Sequence, residues 1–107
     1  MSAEFAGRLR VRAALSRPDA SRDALGAPGG GWIDRGTVWA AVEREGRGDL
    51  ALADRRTAWP LWRLTMRPHD IVVGDRLEWG AATALVREVR ADPTLPDRMV
   101  VIAEEGP

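Results

Sequence analysis

The feature that most constrains the fold of this chain is the alternation of apolar and polar residues in short runs between glycines. Residues 31–43 and 74–80 show this alternation most clearly, and both are punctuated by glycine. In residues 8–17, apolar side chains fall at positions 9, 11, 13 and 15, with arginine at positions 10 and 12. Successive side chains of an extended strand point to opposite faces, so a period of two predicts half-buried β-strands.

The alternating pattern recurs along the whole chain. It predicts six strands, at residues 8–17, 32–43, 61–67, 76–79, 83–89 and 98–104. Six short strands with turn residues at near-regular spacing are typical of a small antiparallel β-barrel or sandwich. A chain of 107 residues has the usual size of one domain, so we expect a single domain over residues 1–107.

Two segments between the predicted strands do not alternate. Residues 18–31 contain two prolines and end in three consecutive glycines, which predicts a long loop. Residues 46–56 show helix-compatible apolar spacing after Asp49, a residue type that often caps a helix N-terminus, so we expect one short helix there. The lead-in at residues 4–7 is compatible with a helical turn or a mobile arm. The predicted fold is therefore mainly β, with one short helix and long loops.

Composition excludes several classes of function. The 16 arginines are balanced by 16 acidic residues, whereas a protein that coats nucleic acid carries a strong basic excess. The chain has no cysteine, so it has no disulfide framework, thiolate metal site or cysteine nucleophile. No apolar run approaches the roughly 18 residues of a membrane span, and residues 1–4 lack the start of a signal peptide. We therefore expect neither a membrane partner nor secretion.

The charges are unevenly distributed along the chain. Residues 1–67 hold twelve arginines and eight acidic residues, a net charge of +4. Residues 68–107 hold four arginines and eight acidic residues, a net charge of −4. One interpretation is that solvated strands simply differ in charge. The other is a head-to-tail contact, in which one face of a subunit meets the opposite face of the next and closes a ring.

Residues with catalytic or metal-binding chemistry form no recognisable constellation. His69 is the only histidine, and a metal site needs three or four ligands, so we interpret His69 and Asp70 as a solvated turn. Ser16, Ser21 and Thr37 lie outside any nucleophile-elbow pattern. We therefore expect no enzymatic activity, no metal ion and no cofactor.

The chain is rich in tryptophan, with five tryptophans against one phenylalanine and no tyrosine. Four of them fall on predicted strands: Trp32, Trp39, Trp62 and Trp79. A platform for single-stranded nucleic acid would combine such aromatic residues with a basic groove. Because Asp34, Asp75 and Glu78 accompany the arginines near these positions, we expect core packing and subunit contacts instead.

Several segments of the chain, taken in order, form a pattern found in a known family. They are residues 7–12, the glycine loop that ends at residue 31, Trp32 with the strand at 37–43, the polar helical segment after Gly46, and residues 62–67, 74–77 and 86–93. In order and spacing these segments resemble the head–tail joining proteins of long-tailed phages, also called head-closure or stopper proteins. The resemblance covers roughly residues 5–105, and its most specific match is the strand at residues 37–43.

This resemblance implies a structural protein. Proteins of this family form a ring below the portal and adaptor of a DNA-filled capsid, close the head and offer a docking face to the tail. We therefore expect a homo-oligomeric ring of six or twelve copies, with adaptor or portal proteins above it and a tail terminator protein below it. Double-stranded DNA would pass through its channel without sequence specificity. The expected location is the neck of a virion or of a phage-like gene transfer particle, assembled in the bacterial cytoplasm.

Two long, polar, glycine-bearing loops, at residues 18–31 and 44–58, are the expected contact elements of such a ring. The candidate channel loop comprises Arg17, Asp19, Arg22, Asp23, Gly29, Gly30 and Gly31. It is nearly neutral, so it would block a channel sterically without gripping the DNA backbone. The candidate axial or inter-subunit loop comprises Arg44, Arg47, Asp49, Arg55, Arg56 and Trp59.

Two alternative functions remain open at this point. The first is a neck or tail-completion protein at another level of the connector. The second belongs to a different class: a small cytoplasmic β-barrel that binds nucleic acid or peptide, which would show measurable affinity for an oligonucleotide at moderate salt.

Overall fold

The structure of the protein is a computed structural model that describes residues 3–19, 31–45 and 59–106. In these residues, one short helix precedes six β-strands. The elements are α1 (Ala3–Arg8), β1 (Val11–Pro18), β2 (Trp32–Arg44), β3 (Leu61–Met66), β4 (Arg76–Trp79), β5 (Ala82–Ala91) and β6 (Met99–Glu105).

The six strands form a closed antiparallel barrel. Their order around the barrel is β1, β2, β3, β6, β5, β4, and β4 pairs back with β1. One row of paired residues runs once around it, through Asp34, Ser16, Arg76, Leu85, Glu104, Leu61 and Glu45. The row starts at Asp34, near the start of β2, and after one circuit of the barrel returns at Glu45, just past the end of β2. These two positions are eleven residues apart in the chain. Because the strands of a staggered barrel tilt, the two ends of β2 lie at opposite ends of the barrel.

A β-bulge at Gly36 changes which side chains of β2 face inward. Ala14 pairs with Thr37 but Ser16 pairs with Asp34, so β2 contains one extra residue here. Gly36 has a φ of +93°, a left-handed conformation that glycine adopts without steric cost. Side chains of a strand alternate between its two faces, so the extra residue reverses which residues face inward in the part of β2 before the bulge. Ile33 therefore faces inward, as its partner Arg17 does.

The barrel interior is filled by apolar side chains from all six strands and from Ile71. The buried core consists of Ala13, Leu15, Val38, Ala40, Leu64, Met66, Ile71, Leu77, Ala84, Val86, Met99, Val101 and Ala103. In β1, β2, β5 and β6 an inward alanine stands next to a larger inward residue. A six-stranded barrel is too narrow for a large side chain at every inward position, so small and large residues alternate.

Helix α1 packs against the barrel through Phe5, which is 1 % exposed. The guanidinium carbon of Arg98, just before β6, lies 4.1 Å from the centroid of the Phe5 ring. At the end of the helix, Arg8 forms an ion pair of 3.8 Å with Glu43 of β2. These two contacts attach the helix to β2 and to the start of β6, the two strands that flank β3.

The prediction of six antiparallel strands is confirmed, and of the two predicted architectures the structure is the barrel. The largest error in a strand end is at β1, which begins at Val11 rather than at residue 8 because α1 extends to Arg8. For residues 4–7 the helical turn is present, as part of α1. The helix predicted at residues 46–56 lies outside the described residues. No helix in the described ranges has the length and apolar character needed to cross a membrane.

Candidate functional site

A groove of about 280 Å³ crosses the outer face of β4, β5 and β6. Its floor is formed by Arg76, Leu85 and Glu104, which are neighbours in the paired row that runs around the barrel. Trp32, at the start of β2, and Trp59, just before β3, contribute to its walls. The groove therefore joins residues from the stems of both long loops.

Arg76 fixes the position of Trp32 in the groove. Its guanidinium carbon lies 4.2 Å from the centroid of the Trp32 ring, which is a cation–π contact. Its Nε donates to Ser16 Oγ at 3.1 Å, and its Nη2 lies 3.5 Å from Glu78 Oε1. The start of β2 is thus held against β4 by a single guanidinium with three partners.

Two of the other charged residues of the groove, Arg87 and Glu104, pair with each other, and the third, Glu105, accepts a hydrogen bond from Trp62 Nε1 at 2.8 Å. Arg87 Nε donates to Glu104 Oε1 at 2.8 Å. Trp32 and Trp59 remain 39 % and 48 % exposed, so the surface that the groove offers is mainly their indoles and Leu85. Its volume is just below the roughly 300–1,000 Å³ of small-molecule sites. Exposed tryptophan among paired charges suits a protein partner better than a small charged substrate.

An ion pair between a partly exposed arginine and a buried aspartate lies at the mouth of the barrel where β2 begins. Arg17 Nε and Nη2 donate to Asp75 Oδ1 and Oδ2 at 2.8 and 3.0 Å, and the Val72 amide also donates to Oδ2, at 3.0 Å. Burial by itself raises the pKa of Asp75, but the hydrogen bonds from Arg17 and Val72 outweigh it and hold that pKa below its usual range. The bond to Asp75 in turn raises the pKa of Arg17, so both groups are ionised at neutral pH.

Asp70 extends this pair into a network. Arg35 Nη2 donates to Asp70 Oδ2 at 2.7 Å, and Arg17 Nη2 lies 3.6 Å from Asp70 Oδ1. The connection between β3 and β4 is thereby attached to the hairpin of β1 and β2. Arginines from the basic part of the chain thus neutralise acids from the acidic part inside one subunit. The uneven charge along the sequence is consequently no sign, by itself, of a contact between subunits.

The candidate channel loop is anchored at its stem. The Asp19 amide donates to the Gly31 carbonyl at 2.9 Å. Assigning Arg17 to this loop is wrong, because Arg17 lies in β1 and its inward side chain is bound to Asp75. The other predicted residues of this loop are outside the described residues: Arg22, Asp23, Gly29 and Gly30.

The candidate axial loop is closed in the same way at the other end of β2. The Glu45 amide donates to the Leu61 carbonyl at 2.9 Å. Arg44 belongs to β2 rather than to the loop, and its guanidinium carbon lies 5.2 Å from the centroid of the Trp62 ring. Trp59 lines the groove. The remaining predicted residues are outside the described ranges: Arg47, Asp49, Arg55 and Arg56.

The tryptophans divide into a packed and an exposed group. Trp62 and Trp79 pack against the core and meet edge to face, with ring centroids 6.1 Å apart. Trp62 Nε1 also donates to Glu105 Oε1 at 2.8 Å. The predicted core packing is confirmed for these two. Trp32 and Trp39 are 39 % and 51 % exposed and lie outside the core, so the predicted subunit contacts stay a prediction for them.

The structure places His69 in an exposed turn after β3, where its amide donates to Met99 Sδ at 3.2 Å. Its neighbour Asp70 is engaged with arginines, a role that the sequence analysis missed. In the described part of the chain, no three His, Cys, Asp or Glu side chains lie close enough to hold a metal ion.

The fold has a counterpart among solved structures. The solution structure of protein SF1141 from Shigella flexneri 2a matches it with a TM-score of 0.73 at 23 % sequence identity, over 94 % of this chain and 95 % of that chain. At this identity, the likeness shows a shared fold alone. The sequence matches no protein-family profile and no curated protein.

Proposed function

We propose that the protein is a connector subunit of a phage neck or of a phage-like gene transfer particle. Copies of the chain would form a ring between the portal or adaptor of a DNA-filled capsid and the tail, closing the head and docking the tail. The resemblance of the sequence to head–tail joining proteins motivates this proposal. The observation that carries it is that one small barrel presents the stems of two long loops at its opposite ends.

A connector has to contact one component above it and another below it at the same time. The 13 residues of β2 span about 40 Å at roughly 3.3 Å per residue. A backbone hydrogen bond closes each loop stem, Asp19 to Gly31 at one end and Glu45 to Leu61 at the other. Both loops therefore start from fixed points on a rigid strand, an arrangement suited to holding two partners at a set distance.

Contacts between neighbouring copies would draw on apolar surface. Ile33, Val72 and Val73 are 48 %, 47 % and 61 % exposed, and all three belong to the segments joined by the Arg17–Asp75 network. Assembly on a pre-built adaptor orients each subunit, so no single interface has to be strong. We therefore expect the isolated protein to be monomeric or weakly associated.

Deletion of the coding region in the strain that produces the particles tests the proposal. Electron microscopy of the lysate should show separate tails beside tailless heads that are empty or leak DNA. Intact particles with normal tails would overturn the connector function.

Complementation of this deletion tests the groove as a docking surface. A gene with Trp32→Ala and Trp59→Ala together should restore fewer tailed particles than the wild-type gene, because both indoles line the groove. Leu95→Ala is the matched control, since Leu95 is a comparably exposed apolar residue in the turn between β5 and β6. Equal restoration by both variants would remove the groove from the tail-docking surface while leaving the deletion result intact.

A further inference from the structure

A second surface, which the connector proposal does not use, lies on the outer face of β1 and β2. It consists of Trp39 and three arginines, Arg10, Arg12 and Arg67, and is called the Trp39 patch below. All four side chains are exposed, and the indole of Trp39 is the most exposed of the tryptophans.

Strand pairing places the arginines around the indole. Arg12 is the direct cross-strand partner of Trp39. Arg67 follows Met66, the partner of Ala40, and therefore flanks Trp39 on the side of β3. Arg10 lies two residues before Arg12, just outside β1, and its side chain is exposed. Since neighbouring strands are about 4.8 Å apart, an arginine is attached to the sheet directly beside Trp39 on each side.

Most other arginines in the described part of the chain form ion pairs; Arg44, which forms none, lies over the ring of Trp62. The arginines of β4, β5 and the start of β6 form ion pairs with acidic residues: Arg76 with Glu78, Arg87 with Glu104, Arg90 with Glu88 and Arg98 with Asp97. Within the described residues, Arg10, Arg12 and Arg67 form no ion pair, and the side chain of Arg10 donates only to the Gly7 carbonyl, at 2.9 Å. The patch is therefore a local concentration of uncompensated positive charge on a chain of zero net charge.

Trp39, which is 51 % exposed, has small neighbours on the outer face of the sheet. The nearest outer-face positions on the same strand are Thr37 and Ala41, and Ala14 lies diagonally across on β1. All three side chains are short. An aromatic ring with short neighbours and flanking guanidinium groups is the arrangement on which unpaired bases stack while arginines contact the backbone.

We propose that the Trp39 patch binds a single strand of nucleic acid. In such a strand each flat base stands between backbone phosphates, which matches an indole flanked by arginines on both sides. In a duplex the bases are already paired and stacked, so only the phosphates would be available and Trp39 could not stack on a base. An acidic protein segment would neutralise the arginines, but it does not place a flat ring between its charges. This activity is independent of the connector function.

The direct test is fluorescence anisotropy with a labelled oligothymidylate of about 15 nucleotides, a length within the usual range for one small barrel. Three phosphate contacts to a single strand predict a slope of about −2 for log K against log salt concentration, at roughly −0.7 per contact. A duplex of the same length should bind more weakly than the single strand.

Variants separate stacking from charge. Trp39→Ala should weaken binding by about fivefold or more, and Trp39→Phe should retain most of the affinity because a ring remains. Arg12→Gln and Arg67→Gln should each reduce the magnitude of the salt slope by about 0.7. Trp59→Ala and Arg90→Gln, an exposed tryptophan and an exposed but paired arginine elsewhere, are the matched controls and should leave the affinity for oligothymidylate unchanged.

Four results would overturn the proposal. They are no binding of oligothymidylate at about 50 mM salt, tighter binding of the duplex, competition by polyglutamate as effective as by unlabelled oligothymidylate, or unchanged binding by Trp39→Ala. Circular dichroism of each variant confirms that it is folded. Should Trp39→Ala fail to fold, the salt slopes of the two arginine variants decide the question alone.

Discussion

Replacing Asp75 with asparagine removes one negative charge from the mouth of the barrel while keeping the shape of the side chain. The carboxylate is fully buried and accepts two hydrogen bonds from Arg17 and one from the Val72 amide. Asparagine has one oxygen and an NH2 group that donates, so it presents a donor to a guanidinium that also only donates. The variant therefore loses at least one charge-assisted bond and leaves Arg17 with only its longer contact of 3.6 Å to Asp70 Oδ1 as an ion pair.

The expected loss of stability is about 2 kcal/mol. Removing one partner of a fully buried pair costs about 3–5 kcal/mol, and a hydrogen bond to a charged group contributes about 1.5–3 kcal/mol. The side chain of Arg17 is 26 % exposed, so water compensates part of its lost partner and the lower end applies. For a domain of this size, about 2 kcal/mol lowers Tm by roughly 10 °C.

The loss should depend on pH in a direction fixed by the pKa of Asp75. That pKa is lower in the folded protein than the ordinary value of 3.8, so ionisation of Asp75 favours the folded state. This contribution is complete above the ordinary value and is lost as the pH falls through the lower, folded pKa. The difference in stability between the wild type and Asp75→Asn should therefore be constant near neutral pH and shrink below pH 3.8.

Urea unfolding at neutral and at acidic pH, followed by tryptophan fluorescence, measures this difference. Glu88→Gln is the matched control, because Glu88 pairs with Arg90 on the exposed face of β5 and its loss should cost much less. Two results would refute the reasoning: equal losses for Asp75→Asn and Glu88→Gln, or a loss for Asp75→Asn that persists unchanged in acid.

Three further substitutions probe the barrel, and thermal or urea unfolding measures each. Ala103→Leu should destabilise the protein by about 1–3 kcal/mol, because the narrow interior has no room for the added carbons; a neutral effect would show an underpacked core. Gly36→Ala should cost about 1 kcal/mol or more through its left-handed φ, and a stable variant would mean that the bulge relaxes. Trp62→Phe removes the hydrogen bond to Glu105 and should cost about 1 kcal/mol, whereas Trp39→Phe on the exposed face should cost little.

The strands were predictable from the sequence because their alternation depends only on local geometry. The run at residues 76–79 was predicted with the bounds that the structure has. The pairing of β1 with β4, in contrast, depends on barrel closure, which no local pattern encodes. The Gly36 bulge was missed for a related reason: a glycine inside an alternating run looks like any other interruption until its partner strand is known.

The candidate site was less predictable than the fold. Asp75 follows Gly74, whose φ is +99°, and the pair correctly indicates a tight turn. A turn aspartate is usually solvated, and only the inward side chain of Arg17, 58 positions earlier in the chain, makes this one buried. Trp39 was expected to take part in core packing or subunit contacts because acidic residues accompany the arginines near the tryptophans in the sequence. Its exposure follows from the partners of its strand, Arg12 and Arg67, neither of which covers it.

The charge pattern of the folded barrel separates the two proposed activities by their response to salt. Contacts between copies driven by opposite charge would need an acidic face without internal partners. Glu78, Glu88 and Glu104 of β4, β5 and β6 have arginine partners in the same chain, and Glu105 accepts a hydrogen bond from Trp62. Association between copies should therefore rest on apolar surface such as Ile33 and Val73, and it should change little between low and moderate sodium chloride.

Binding at the Trp39 patch should fall steeply over the same range, because its positive charge is uncompensated. One salt titration that follows association by sedimentation and, in parallel, oligothymidylate binding would thus show whether the two surfaces act independently. If association and oligothymidylate binding declined in parallel, the assignment of the subunit contact to apolar side chains would be contradicted.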